Sequence, residues 1–96
     1  MSTAIAAESS IVLKNGAKVL ASFVRKGRRF EPAQVGVVLA ERGNELVVWD
    51  IAQEGDDTRF EAFHGEYYFA FEDPQANKVS AQAELQRRVL WELGIY

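Results

Sequence analysis

The chain has 96 residues, no cysteine and a formal net charge of −3, with 48% hydrophobic and 26% charged residues. This length predicts one domain over residues 1–96 with a thin core, and the balanced composition argues against a disordered chain. The lack of cysteine excludes a disulfide framework, a thiolate nucleophile and a cysteine zinc site, and it is typical of a reducing compartment.

We expect no targeting signal in the first residues of this sequence. Its first ten residues, MSTAIAAESS, have neither the basic start nor the apolar run of a signal peptide. No stretch of the sequence approaches the roughly 18–20 apolar residues that cross a bilayer. We therefore predict a cytoplasmic protein without a membrane role, and we expect residues 1–9 to be flexible or to form a short edge element.

Charge is distributed unevenly along the sequence. The first 34 residues carry six lysines and arginines against two acidic residues, whereas residues 41–73 carry ten acidic residues against two arginines. Such asymmetry can steer a charged partner towards one side of a folded domain.

Three glycine-bearing turns predict β-hairpins. Asn15-Gly16 follows a short apolar run, Gly43-Asn44 lies between two longer ones, and Gly65-Glu66 separates two aromatic-rich runs. Glycine is typical of tight hairpin turns because it accepts the positive φ that these turns require. The turns therefore predict three antiparallel pairs in sequence order.

The second hairpin has the clearest expected register. Its turn places Ala40 opposite Val47 and Val38 opposite Trp49, and the intervening residues on the other face are also apolar. Strands that are apolar on both faces are typical of the centre of a sheet.

A helix is predicted between Asp73 and Gly94. Asp73 suits the N-cap, Pro74 suits the first helical position, and Gly94 suits the position just past the end. At 100° per residue, one apolar stripe is expected to pack on the sheet. That stripe consists of Ala76, Val79, Ala83, Val89, Leu90 and Leu93, with Leu85 at its edge.

These elements predict an α+β fold. We expect an antiparallel β-meander of five to six strands, built from three hairpins, packed with one C-terminal α-helix. The alternative is a small SH3-like barrel with an appended helix.

The sequence shows no catalytic or metal-binding pattern. His64 is the only histidine and lies beside a predicted turn, without the partners that catalysis or metal binding requires. The acidic residues near 54–57 lack the spacing of a calcium loop, and no serine lies in a G-x-S-x-G context. We therefore predict a non-enzymatic protein with no cofactor and no metal.

The basic loop, residues 25–29, is one candidate binding site. Its lysine and arginine side chains could contact phosphates while the neighbouring aromatic ring of Phe30 stacks on a base. Phe23, on the other side, follows the strand alternation and is expected in the core. Against this interpretation, a dedicated nucleic-acid binder is usually basic overall, and this chain has a pI near 5.1. Nucleic-acid binding is the alternative function, and its predicted residues are Arg25, Lys26, Arg28 and Arg29.

The acidic stretch and the C-terminal aromatics favour protein binding. Carboxylates on a rigid sheet can dock on a basic partner surface, including one that normally holds nucleic acid. Tyrosine and tryptophan are enriched at binding hot spots. The residues predicted to carry this contact are Glu54, Asp56, Asp57, Glu61, Trp91 and Tyr96.

We therefore expect a small non-enzymatic module that binds a protein and regulates or inhibits it. The partner could belong to a nucleic-acid-handling complex. Small acidic inhibitors of this kind are encoded by phages and mobile elements, and a counter-defence inhibitor of the anti-CRISPR type belongs to the class. The chain could act as a monomer or a homodimer, and a third hypothesis is a homodimer that binds a small ligand between its subunits.

Overall fold

Four antiparallel strands and one helix make up the described part of the chain, residues 11–69 and 73–94 of the computed structural model. The predicted flexible or edge segment, residues 1–9, lies outside these ranges. The strands form one open sheet in which they follow one another in sequence order. The α+β fold is therefore confirmed, but within the described ranges there are four strands where five to six were predicted, and the barrel is not confirmed. The elements are β1 (Lys18–Lys26), β2 (Gln34–Arg42), β3 (Glu45–Gln53), β4 (Glu61–Phe69) and α1 (Pro74–Glu92).

The β2–β3 hairpin has the predicted register. Ala40 pairs with Val47, and Val38 pairs with Trp49. Gly43 occupies the turn with φ of +60°, a conformation that residues with a Cβ rarely adopt. Apolar side chains from both faces of these two strands are buried, so the prediction of central strands is confirmed.

The predicted third hairpin is wrong. Gly65 lies inside β4, which continues from Glu61 to Phe69 without a turn. Here β4 has a bulge, where His64 and Gly65 together stand opposite Trp49 of β3. A Cβ at Gly65 would lie 2.7 Å from the indole nitrogen of Trp49, so the glycine serves close packing instead of chain reversal.

The first predicted turn exists, but the hairpin around it does not. The Gly16 amide donates to the Leu13 carbonyl at 3.0 Å, and Gly16 has a positive φ. The residues before the turn do not pair with β1. Instead, Leu13 forms an isolated parallel bridge with Phe60, and both side chains are buried. Burial of these two side chains therefore draws the segment onto the sheet face opposite the helix.

The sheet has an apolar core on each face. One core contains Leu13 and Phe60 together with residues of β2 and β3. The other lies under α1 and includes Phe23 of β1. Because both faces are covered, neighbouring side chains that point to opposite faces, such as Val47 and Val48, are both buried in the middle of the central strands, which explains their apolar character on both sides.

The helix begins as predicted but packs on a different side. The Asp73 carboxylate accepts a hydrogen bond from the Ala76 amide, and Pro74 is the first helical residue. The residues buried against the sheet are Ala81, Leu85 and Val89. The predicted stripe is therefore wrong except for Val89 and its edge member Leu85, since its other members face solvent: Ala76, Val79, Ala83, Leu90 and Leu93.

The reason is that α1 carries two apolar stripes, and only one can face the sheet. Rotation to the predicted stripe would move Arg88 and Glu92 away from β3 and β1. In the observed orientation Arg88 contacts Asp50 of β3, and Glu92 contacts Arg25 of β1. The observed orientation of the helix therefore allows two ion pairs with the sheet near the C-terminal end of α1.

Candidate functional site

Several connections meet at one end of the sheet, which we call the loop end. It comprises the β1–β2 loop (residues 27–33), the β3–β4 connection (residues 54–60) and the last turn of α1. The Arg28 guanidinium donates to the Glu92 carbonyl at 3.4 Å, which joins the first loop to the helix. Gln34 pairs with Gln53, so the basic β1–β2 loop and the acidic β3–β4 connection lie at the same end of the sheet.

A crevice of about 310 Å³ opens beside the C-terminal half of α1. A second hollow of about 210 Å³ shares three residues with it and continues towards Arg25 and Glu31. Together they form one charged groove between the helix and the sheet. The crevice is lined by Asp50, His64, Arg87, Arg88, Trp91 and Glu92.

Arg88 is the central cation of the crevice. Its guanidinium donates to Asp50 Oδ1 at 3.2 Å, to the His64 carbonyl at 2.8 Å and to Glu84 Oε2 at 2.6 Å. The side chain is only 14% exposed, so these contacts operate in a partly desolvated environment. Arg88 thus connects α1 to β3 and β4 at once.

Glu84 is held between two arginines of its own helix. Arg87 donates two hydrogen bonds to its carboxylate, at 2.9 and 2.6 Å, and Arg88 donates a third. The Arg87 hydrogen bonds, followed by that of Arg88, lower the pKa of Glu84 from 4.5 to about 2. The carboxylate therefore stays ionised at any physiological pH.

A second ion-pair cluster is centred on Arg25. This guanidinium contacts Glu31 of the β1–β2 loop and Glu92 of α1, both at 2.9 Å. The Arg25 hydrogen bonds, with one from the Arg28 amide, lower the pKa of Glu31 from 4.5 to about 2. The Glu31 bond, against the opposing effect of burial, raises the pKa of Arg25. The cluster ties the basic loop to the helix end.

His64 lies in β4 at the bulge, not beside a turn as predicted. Its Nδ1 atom is 3.2 Å from Asp50 Oδ2, and its ring packs edge-on against Phe63. The residue adopts φ of +55°, which is uncommon for a residue with a Cβ. This backbone conformation lets the His64 carbonyl accept from Arg88 while the ring faces the crevice.

Two exposed aromatic side chains line the groove, and a third lies on the β1–β2 loop. Trp91 lines the crevice and is 61% exposed, and Phe63 lines the adjoining hollow. Phe30, next to Glu31, is 94% exposed, and the Arg29 guanidinium lies 5.1 Å from its ring centre. The groove can therefore offer charged hydrogen-bonding groups and aromatic surface side by side.

The predicted acidic residues separate into two groups. Asp57 is 3.2 Å from Lys14 Nζ, and Glu61 is 3.8 Å from the same atom. A hydrogen bond from the Arg59 amide, followed by that of Lys14, lowers the pKa of Asp57. Glu54 and Asp56 are exposed and form no ion pair within residues 11–69 and 73–94, so they remain open to a partner.

The two predicted aromatic contacts differ as well. Trp91 lies at the crevice, whereas Tyr96 lies outside the described residues. Trp91 therefore lies in the lining of a charged crevice, and residues 54–57 are not part of that lining.

The predicted basic residues are also separated. Arg25 is engaged by two carboxylates and is mostly buried. Arg28 contacts the helix end, and Arg29 lies over Phe30. Lys26 is exposed and makes no ion pair in the described ranges. Three of the four cations thus remain accessible, because the Arg25 side chain points to the helix.

Sequence reasoning missed the residues that build the groove. The i, i+4 spacing of Glu84 and Arg88 is typical of a helical ion pair, and the structure contains that pair, but the spacing does not show which side of α1 the pair occupies. Asp50 and Phe63 carried no signal, because their roles depend on contacts with residues distant in sequence. The burial of Arg88 follows from the observed helix orientation, which the sequence left undecided.

Comparison of the chain with protein-family models, with curated proteins and with solved structures finds no match. Among the described residues, no helix is both long and apolar enough to cross a membrane. In the same part of the chain, no group of three or more histidine, aspartate or glutamate side chains could hold a metal ion.

Proposed function

We propose that the chain is a non-enzymatic protein-binding module of the cytoplasm that regulates or inhibits a macromolecular partner. The observation that carries the proposal is the groove at the loop end, where Trp91 and Phe63 lie among arginines already held by carboxylates. Aromatic residues and arginine are the side chains most enriched at the centres of protein interfaces.

The paired arginines favour binding because their positions are set in advance. Arg88 has three acceptors on Asp50, His64 and Glu84. A side chain fixed in the free protein loses less conformational entropy when a partner packs against it. The partner therefore meets a preformed surface with Trp91 projecting from its edge.

The acidic β3–β4 connection, residues 54–60, contributes negative charge to the same loop end of the molecule as the groove. Glu54 and Asp56 are exposed carboxylates without an ion-pair partner in the described ranges. Charges at the rim of an interface accelerate encounter and select the partner more than they add affinity. They favour a partner with a basic surface.

A finer form of the proposal concerns the kind of partner. Basic surfaces are common on proteins that hold nucleic acid, and an acidic module can compete for them. We propose a nucleic-acid-handling complex as the target. A counter-defence inhibitor of the anti-CRISPR type, encoded by a phage or mobile element, would act in this way.

Affinity capture from the native host, with and without nuclease, tests the proposal. A protein should be retained in both conditions. Titration of that protein with Trp91→Ala should then weaken binding by at least about 10-fold, as expected for a hot-spot tryptophan. Tyr67→Ala, a half-exposed aromatic lining neither hollow, is the matched control and should bind normally. Equal affinity of both variants and the native chain would exclude the groove as the contact.

Nucleic-acid binding is the second candidate, and Phe30 supports it. The ring is almost fully exposed, and the cations Lys26, Arg28 and Arg29 directly precede it in sequence. Such a combination suits stacking on an unpaired base with contacts to the adjoining phosphates. Binding of a labelled single-stranded oligonucleotide should weaken steeply with salt.

The corresponding variants separate the two candidates. Phe30→Ala and a Lys26→Ala, Arg28→Ala, Arg29→Ala triple variant should abolish oligonucleotide binding if the loop is the site. Asp56→Lys, which adds a cation to the neighbouring loop, is the control and should bind the oligonucleotide at least as well. Retained binding by the triple variant would exclude this candidate.

A further inference from the structure

Phe30 combines a strained backbone with an almost fully exposed ring. Its φ is +68°, in the left-handed region that residues with a Cβ rarely adopt. Its side chain is 94% exposed. Both features oppose folding, and backbone outliers of this kind cluster at binding sites. Because the ring is not buried, its packing within the chain does not offset the strain.

Phe30 is the third residue of a β-turn. The Glu31 amide donates to the Arg28 carbonyl at 3.0 Å, which places Arg29 and Phe30 at the two central positions. A turn with a positive φ at its third residue usually has glycine or asparagine there. Chain reversal therefore does not explain the aromatic ring.

The Glu31 carboxylate holds this turn in place. Its Oε1 atom accepts from the Arg28 amide at 2.7 Å, and the Arg25 guanidinium donates to both carboxylate oxygens, at 2.9 and 3.1 Å. At the base of the loop, the Gly27 amide donates to the Ala33 carbonyl at 2.9 Å. A loop that is ordered before binding loses less conformational entropy when a partner packs against it. The aromatic ring at its tip is therefore presented in a preformed position.

Three cations of the loop have no carboxylate partner. Lys26, Arg28 and Arg29 form no ion pair in the described part of the chain. The Arg29 guanidinium lies over the Phe30 ring, 5.1 Å from its centre. An exposed ring among unpaired cations suits a polyanion that carries flat rings, and single-stranded nucleic acid has this chemistry. A protein pocket would bury the ring, but it would supply the cations with partners only if its rim were acidic.

We infer that Phe30 is a preformed stacking platform for one unpaired base of a single-stranded nucleic acid, and that Glu31 is the residue that positions it. Arg25, predicted above as a phosphate contact, serves this site by holding Glu31. The inference rests on the nucleic-acid-binding candidate and adds to it the residues that orient the ring.

Two substitutions separate the strain at Phe30 from its ring. Phe30→Ala removes the ring but keeps a Cβ at the positive φ, whereas Phe30→Gly removes both the ring and the steric conflict. The folding equilibrium constant of Phe30→Gly should therefore exceed that of Phe30→Ala by at least about 2-fold. Urea denaturation measures this difference.

Fluorescence anisotropy of a labelled single-stranded oligonucleotide tests the platform. Phe30→Leu keeps an apolar side chain but has no ring to stack, so Kd should rise by at least about 10-fold. Phe30→Trp should keep the native affinity, since its larger ring still stacks on a base. Tyr67→Leu, at a half-exposed aromatic residue of β4, is the matched control and should bind normally.

The positioning role of Glu31 is tested by Glu31→Gln in the same assay. Loss of a carboxylate beside a polyanion should by itself tighten binding, because a like charge is removed. If Glu31 positions the ring, the affinity should instead fall by about 3- to 10-fold, because the loop must then be ordered on binding. Glu41→Gln, which removes the same charge from an exposed residue of β2, is the control and should not weaken binding.

The outcomes separate this inference from the candidate function on which it rests. A native chain that does not bind the single strand would remove both. Native affinity in Phe30→Leu would leave the loop cations as the binding site but exclude the ring. Unchanged or tighter binding by Glu31→Gln would exclude the positioning role, and equal stability of Phe30→Gly and Phe30→Ala would exclude the strain. A protein captured by the native chain and by Phe30→Leu, but not by Phe30→Ala, would assign the ring to an apolar pocket of that protein.

Discussion

Helix α1 is held to the sheet by two different kinds of contact. Ala81, Leu85 and Val89 pack into an apolar core, whereas Arg88 and Glu92 form ion pairs with β3 and β1. The crevice is lined by the charged residues Arg88 and Glu92, and none of Ala81, Leu85 and Val89 is in its lining. The difference teaches that the groove lies where polar contacts replace close packing, so stability and binding should respond to different residues.

The largest effect is expected in the apolar region. Leu85→Ala removes a buried side chain from beneath the helix and should lower the free energy of unfolding by about 2–4 kcal/mol. Urea denaturation measures this change. Gln82→Ala, an exposed position on the same helix, should change stability by less than about 0.5 kcal/mol. A loss equal to that of the control would mean that Leu85 does not hold the helix.

A smaller loss is expected in the charged region. Arg88→Met keeps the length of the side chain but leaves Glu84 and Asp50 without their shared partner. Because these groups are only partly buried, unfolding should become easier by about 1–3 kcal/mol. Arg59→Met, at a more exposed arginine, is the control in the same urea measurements. If Arg88→Met lowered the free energy of unfolding more than Leu85→Ala does, the ion pairs would contribute more to stability than the apolar contacts, contrary to our expectation.

Acid should weaken the charged region selectively. The pKa values of Glu31 and Glu84 are lowered from 4.5 to about 2 by their arginine partners. Their stabilisation is therefore complete above about pH 4.5 and is lost as the pH falls towards 2. The urea midpoint should fall over this range, and Glu84→Gln should make the fall shallower. Glu41→Gln, an exposed carboxylate without an ion pair in the described ranges, should leave the slope unchanged.

The smallest effect on stability is expected at Trp91, at the edge of the groove. Trp91→Ala should leave the unfolding free energy within about 0.5 kcal/mol of the native value, since the side chain is largely exposed. Trp49→Ala, a buried tryptophan, should cost about 3–5 kcal/mol in the same assay. A loss above about 1 kcal/mol at Trp91 would show that it packs as part of the fold.

Turn and helix-start residues correctly predicted the parts of the fold that depend on residues close together in the sequence. The Gly43-Asn44 turn fixed a register, and Asp73 and Pro74 marked the start of α1. Gly65 was misassigned because a glycine signals either a turn or a close approach, and the Trp49 ring that decides between them is distant in sequence. The helix orientation failed for a similar reason, since two apolar stripes compete and only the sheet selects one.

The candidate site was predictable in its parts but not in its arrangement. Trp91 and the open carboxylates Glu54 and Asp56 could be chosen from residue type. The contacts of Arg25 with Glu92 and of Arg88 with Asp50 join elements that are far apart in sequence. No spacing rule connects such pairs, so the groove could be found only in the folded chain.

The bulge at His64 and Gly65 also bears on how the protein avoids aggregation. Strand β4 is an edge of the sheet and carries exposed aromatic rings, including Phe63 and Tyr67. A regular edge of this composition would invite strands from other molecules to add to it and grow into fibrils. The bulge interrupts the ladder midway, so an incoming strand could pair with only half of β4. The conformation that orients His64 towards Arg88 therefore also keeps an aromatic-rich edge from acting as a template.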